Sequence, residues 1–156
     1  MPSDDRKAPE GVRRDFLLAI LSVETEFRPW HFRMAEYFAA YGSSLWGLLF
    51  KRQVRSWTIG PCQLALSIIL AYHGYEAGFH DRKVRIPSLG AYFCLFSALS
   101  KEKSLRILGW RLKDKYEYAL KKWPERPELQ IRAVGEEYGG RLSYGLMAER
   151  AWKNRP

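Results

Sequence analysis

Apolar residues recur along this chain at helical rather than strand spacing, and that periodicity restricts it to a mainly helical architecture. Between Gly11 and Glu26 the apolar positions Val12, Phe16, Ile20 and Val23 form one stripe of a 3.6-residue repeat. The same spacing predicts a second helix over 31–41, with Phe32, Ala35, Tyr37 and Phe38 turned inward. "YGSSLWGLLF" opens with turn chemistry and continues as a short helical piece, and basic "KRQVRSW" reads as a loop. "TIGPCQLALSIILAYHG" reads as a buried helix, opened by Pro61 in its first turn and closed by Gly74. The mixture of Gly, charge and Pro in "YEAGFHDRKVRIPSLG" predicts an irregular excursion. Helical patterns resume over 91–100, 103–122 and 126–138, and a last helix over 142–153 follows a turn at Gly139–Gly140. Alternating patterns are scarce. The expected architecture is a compact all-α fold, with 1–9 a flexible tail and 10–156 a single helical domain.

Totals narrow the function classes. A hydrophobic content of 47% over 156 residues is enough for a core and argues against disorder. The balance of 26 Lys+Arg against 17 Asp+Glu leaves +9, which favours an anionic partner: nucleic acid, an anionic membrane surface or a cell wall. The cations are dispersed and no nucleic-acid motif accompanies them, so nucleic acid is the weaker reading. Cys62 and Cys94 lie in apolar stretches and read as free thiols, although one disulfide between them stays open. The polar opening "MPSDDRKAPEGVRRDF" is no secretory signal, and no run reaches the roughly 18 apolar residues of a membrane span. His31, His73 and His80 are too scattered for a zinc pattern, and neither a phosphate-binding glycine loop nor a serine nucleophile elbow is present. No metal or cofactor is expected.

Within "LLAILSVETEFRPW" the two glutamates differ. Glu24 follows Phe16 and Ile20 at i+8 and i+4 and shares their apolar face, with Val23 beside it. Glu26 lies about 200° from Glu24 around the helix and is expected in solvent. Desolvation disfavours the charged form of a carboxyl, and the partial negative charge of a helix C-terminus acts in the same direction. A carboxylic acid that keeps its proton can donate it to a leaving oxygen, the general-acid step of glycoside cleavage. The alternative for Glu24 is a helix-end residue that turns outward or pairs with an arginine.

"ETEFRP" (Glu24–Pro29) resembles the Glu-Ser-x-Phe-x-Pro signature of the lysozyme-like superfamily, specifically the lytic transglycosylases and goose-type lysozymes, with Thr25 in place of Ser. "TIGPCQLA" (Thr58–Ala65) resembles the Gly-Leu-Met-Gln segment through Gly60 and Gln63, with Pro61–Cys62 replacing Leu-Met. "AVGEEYGG" (Ala133–Gly140) resembles the Ala-Tyr-Asn-x-Gly segment through Tyr138, with Gly139 where Asn is common. The gap between Glu24 and Gln63 exceeds that of compact transglycosylases and marks 42–57 as an added segment near the cleft.

This resemblance implies a compact lysozyme-like domain with a substrate cleft, and peptidoglycan glycan strands as partner. Glu24 then protonates the oxygen joining N-acetylmuramic acid to N-acetylglucosamine. The substrate's acetamido group stabilises the cation, and Glu24, now basic, activates either the muramyl 6-hydroxyl or water. Gly60 admits the sugar close to the backbone. Gln63 contacts substrate or ties a helix start to a loop. Tyr138 stabilises the intermediate or serves as a core tyrosine. Trp57, Tyr144 and Trp30 are candidate sugar platforms, with core packing as the alternative for each. The expected site of action is the bacterial cell envelope. A second reading keeps the fold as a wall-binding or scaffold domain without catalysis, motivated by Gly139 and the altered groove.

Overall fold

Helix α1, Arg14–Phe27, realises the apolar stripe, because Phe16, Leu17 and Ile20 are fully buried. The computed structural model describes residues 11–27 and 30–155, the side chains of Phe27 and Trp30 excepted. The expected tail over 1–9 and the Trp30 platform lie outside the described residues. After α1 come α2 (Trp30–Leu49), β1 (Gln53–Arg55), β2 (Thr58–Ile59), β3 (Leu64–Ala65), α3 (Leu66–Tyr72), β4 (Lys83–Arg85) and α4 (Leu89–Cys94). A 3₁₀ helix over Leu95–Leu99 leads into α5 (Lys101–Lys122), α6 (Pro127–Gly139) and α7 (Leu142–Lys153). The fold is mainly helical, and the strands form two antiparallel pairs, β1 with β4 and β2 with β3.

The chain divides into two compact units. One comprises the chain up to Glu26 together with Leu108 onward, and the other is Phe27–Ile107. In the first, Phe16 meets the Tyr116 and Trp152 rings edge-on, with centroids 5.9 and 5.6 Å away. Leu108, Leu112, Ile131 and Val134 complete that core, each such side chain contributing roughly 1.5–3 kcal/mol by leaving water. In the second, Ile59, Leu64, Leu66, Ile69, Leu70 and Leu95 are almost wholly buried.

Helix boundaries follow local chemistry. Pro127 occupies the first turn of α6, where its missing N–H costs nothing, and Gly140 closes that helix at φ 64° with its N–H on the Glu136 carbonyl. Lys121 and Lys122 in the last turn of α5 face its negative dipole end. The Ser88 hydroxyl accepts the Ala91 N–H at 3.1 Å and caps α4. Cys62 is buried, Cys94 is partly exposed, and both are free thiols.

Four expectations need correction. The helix predicted over 58–74 begins only at Leu66. Before it, Gly60 at φ 80° and Gln63 at φ 46° fold the segment into the β2–β3 hairpin. The loop expected at 51–57 contains β1, whose exposed–buried–exposed pattern matches that of β4 inside the predicted irregular excursion. The turn expected at 41–44 is helical, so residues 42–57 comprise the second half of α2 and β1. Helix α2 also buries a different face from the one predicted: Phe32, Ala35 and Phe38 are exposed and Tyr37 is half-buried. The buried stripe is Ala40, Ser44 and Gly47, small residues that admit close approach. A Cβ on Gly47 would collide with Val54 Cγ1 of β1.

Candidate active site

In the first unit the short turn at Gly140 sets α6 and α7 against each other. A Cβ on Gly135 would come within 2.7 Å of Ala148 Cβ, and one on Gly145 would strike the Arg132 carbonyl. Only glycine permits that spacing. A charge network then locks the pair. Arg132 of α6 donates from Nε and Nη2 to Glu149 Oε2 of α7, at 2.9 and 2.6 Å, and Lys153 Nζ reaches Oε1 at 2.8 Å. The Lys153 hydrogen bond, together with those from Arg132, outweighs the opposing effect of desolvation and holds the Glu149 carboxyl below its ordinary range.

At the start of α1, burial pushes the Asp15 carboxyl upward, but hydrogen bonds from Arg13 and Trp152 and the Arg13 charge more than offset it, so the group lies below its ordinary value. Trp152 Nε1 donates to Asp15 Oδ2 at 2.8 Å, and Arg155 Nη1 donates to the Asp15 carbonyl at 3.0 Å. These contacts tie the beginning of α1 to the end of α7.

The last turn of α1 meets the first turn of α7. Tyr144 donates its hydroxyl to Glu24 Oε1 at 2.9 Å, a contact spanning 120 positions of sequence. Glu24 is half-buried rather than fully buried, while Val23 beside it is in the core and Glu26 is exposed. The predicted asymmetry of the two glutamates is therefore present, with Glu24 retaining access to solvent. The Tyr138 ring lies 5.2 Å from that of Tyr144, inclined at 50°. Glu24, Tyr138 and Tyr144 thus form one cluster. The periodicity of α1 marks Glu24, whereas the role of Tyr144 as its hydrogen-bond donor carries no sequence signal.

Gly139 gives the cluster its shape. A Cβ there would lie 2.5 Å from Tyr144 Cβ and 2.6 Å from Cδ2, nearer than non-bonded carbons approach. No larger residue fits at 139 with Tyr144 in its present position.

Gly60, Gln63 and Trp57 belong to the second unit. A Cβ on Gly60 would overlap the Ala98 carbonyl oxygen, so this glycine serves a backbone contact inside the protein. Gln63 is buried, its Nε2 donating to the Gly60 carbonyl at 3.2 Å and its Oε1 accepting from the Thr58 hydroxyl at 3.0 Å. The amide braces the β2–β3 hairpin from within. Trp57 is half-buried and the Arg55 guanidinium lies over its ring, 4.8 Å from the centroid.

Compared with protein-family models, curated proteins and solved structures, the chain matches none.

Proposed function

We propose that the protein is a peptidoglycan-cleaving glycosidase of lysozyme-like type, a lytic transglycosylase or muramidase with a substrate cleft, in which Glu24 is the general acid and then the base. The observation that carries this reading is the Tyr144–Glu24 hydrogen bond at 2.9 Å, which holds a half-buried carboxyl beside Tyr138. A positioned carboxyl with solvent access supports the reading of Glu24 as a proton donor to a glycosidic oxygen. Tyr144 fixes one carboxyl oxygen and so turns the group, while Gly139 leaves room for that tyrosine. The net charge of +9 suits an anionic wall polymer.

The test is mass spectrometry of purified sacculi treated with wild type and with Glu24→Gln. The wild type should release muropeptides, with anhydro ends if the 6-hydroxyl attacks and reducing ends if water does. Glu24→Gln should release none. Undiminished release by that variant would refute the role of Glu24. A second reading, a wall-binding domain without catalysis, is favoured by the internal use of the Gln63 amide and by Gly139. Saturable sacculus binding with no soluble product from wild type would select it.

A further inference from the structure

The burial pattern of α2 leaves a wide apolar face in solvent. Along this helix the small residues Ala40, Ser44 and Gly47 point inward, and the large ones remain outside. Phe38, Trp46, Leu49 and Phe50, the last just beyond the helix, are 74, 58, 66 and 54% exposed. From Met34 to Phe50 the exposed positions are all uncharged, and the one acid in this stretch, Glu36, is half-buried. Monomeric proteins rarely expose so continuous an apolar surface without a partner for it.

Cations begin where this face ends. Trp46 and Phe50 lie 4.1 Å apart, ring to ring, and the Arg52 N–H returns to the Gly47 carbonyl at 2.9 Å. That bond, with the Gly47–Val54 approach, seats the β1–β4 ribbon on the last turn of α2. The ribbon exposes Lys51, Arg52, Arg55, Arg82, Lys83 and Arg85. Among the described residues none of these six forms an ion pair. The neighbouring acid, Asp81, is engaged by the Gly78 N–H at 2.6 Å. Arg55 stands directly opposite Lys83 in the register, an arrangement that disfavours the isolated pair. Over Phe27–Ile107, eleven Lys and Arg against four Asp and Glu leave +7, most of the chain's +9.

We propose that the second unit docks on an anionic membrane surface. The exposed face of α2 lies in the plane of the headgroup–acyl boundary, and the β1–β4 ribbon sits on the anionic headgroups. Charge complementarity selects this occupant. A second copy would bring the same cations face to face. A nucleic acid would neutralise the ribbon but leave Trp46, Leu49 and Phe50 in water. A bilayer with anionic headgroups satisfies both halves, since tryptophan and phenylalanine enter the interface while Lys and Arg remain at the surface. No helix among the described residues is long and apolar enough to cross a membrane, so the contact is one of lying on the bilayer.

The test is flotation of the full chain with phosphatidylcholine vesicles, with and without one-third phosphatidylglycerol, alongside duplex DNA binding and sedimentation of the protein alone. Binding should require phosphatidylglycerol and weaken with salt. Lys83→Gln and Arg85→Gln should each lower vesicle affinity about fivefold. Trp46→Ser with Leu49→Ser should reduce vesicle binding at least tenfold while leaving duplex binding and the unfolding temperature unchanged. Equal loss on vesicles and duplex, or no loss on either, would overturn the proposal in favour of a general polyanion site. Absence of flotation would overturn it outright, and concentration-dependent dimers abolished by Leu49→Ser would assign the face to a second copy. None of these readouts depends on glycosidase activity.

Discussion

Gly139→Ala tests whether the Tyr144–Glu24 contact depends on an empty space in α6. The added methyl would lie 2.5 Å from Tyr144 Cβ and 2.6 Å from Cδ2, and relaxed carbon contacts need about 3.5 Å. Because Cβ is among the obstructing atoms, a new rotamer gives no relief, and the first turn of α7 must withdraw by about 1 Å. The same withdrawal stretches the 2.9 Å bond from the Tyr144 hydroxyl to Glu24 past the 3.5 Å at which it ceases to count. Overpacking costs about 1–3 kcal/mol. The net worth of a side-chain hydrogen bond of this kind is about 0.5–1.5 kcal/mol. Alanine returns less than the roughly 1 kcal/mol of helix propensity it gains over glycine in a helix interior, because Gly139 is the last residue of α6. The net expectation is a loss of about 2 kcal/mol, read as a lower urea midpoint at constant slope. Tyr144→Phe separates the contributions: with the hydroxyl already gone, adding Gly139→Ala should cost only the packing part, about 1 kcal/mol less than in wild type. A Gly139→Ala protein as stable as wild type, or an equal cost in both backgrounds, would refute the reasoning.

Tyr144→Phe alone should retain the helical circular dichroism spectrum and lower muropeptide release about tenfold, by freeing the carboxyl orientation. The Asp15 and Glu149 carboxyls lie below their ordinary values of 3.8 and 4.5, so their contribution to stability is complete above those values and is lost as pH falls through the lowered ones. Unfolding temperature should therefore drop on acidification below that range, and Glu149→Gln should remove part of the drop along with about 1–3 kcal/mol at neutral pH. Gly60→Ala combines a positive φ with overlap on the Ala98 carbonyl and should cost at least about 2 kcal/mol in chemical denaturation. Gln63→Ala should cost about 1–2 kcal/mol without weakening sacculus binding; a loss of binding at unchanged stability would restore a substrate role for the amide.

The helices that could be read from sequence are those whose apolar spacing and caps agree. The predicted spans 103–122, 126–138 and 142–153 correspond to α5, α6 and α7, with Pro127 and Gly140 at the boundaries. Helix α2 is not legible in this way, because apolar residues lie on both of its faces and spacing alone does not say which face is buried. Its core contact is made by Ala40, Ser44 and Gly47, and the packing of Val54 against Gly47 depends on a residue outside the helix. The β2–β3 hairpin was hidden because Gln63, a residue with no preference for positive φ, takes 46° where its own amide stabilises the turn. The half-burial of Glu24 follows from periodicity, but its donor stands 120 positions away, and the packing of α7 on α6, with Tyr144 over Gly139, places that donor.

The register of β1 against β4 has a thermodynamic consequence. With Arg55 directly opposite Lys83, the folded ribbon carries a like-charge repulsion that the unfolded chain relaxes. Surface ion pairs weaken as ionic strength rises, whereas this element should grow firmer, because counterions relieve like charges. Any polyanion that condenses on the ribbon acts as a ligand of the folded state and raises its stability by mass action. Strand pairing and anion capture are therefore linked equilibria, each strengthening the other.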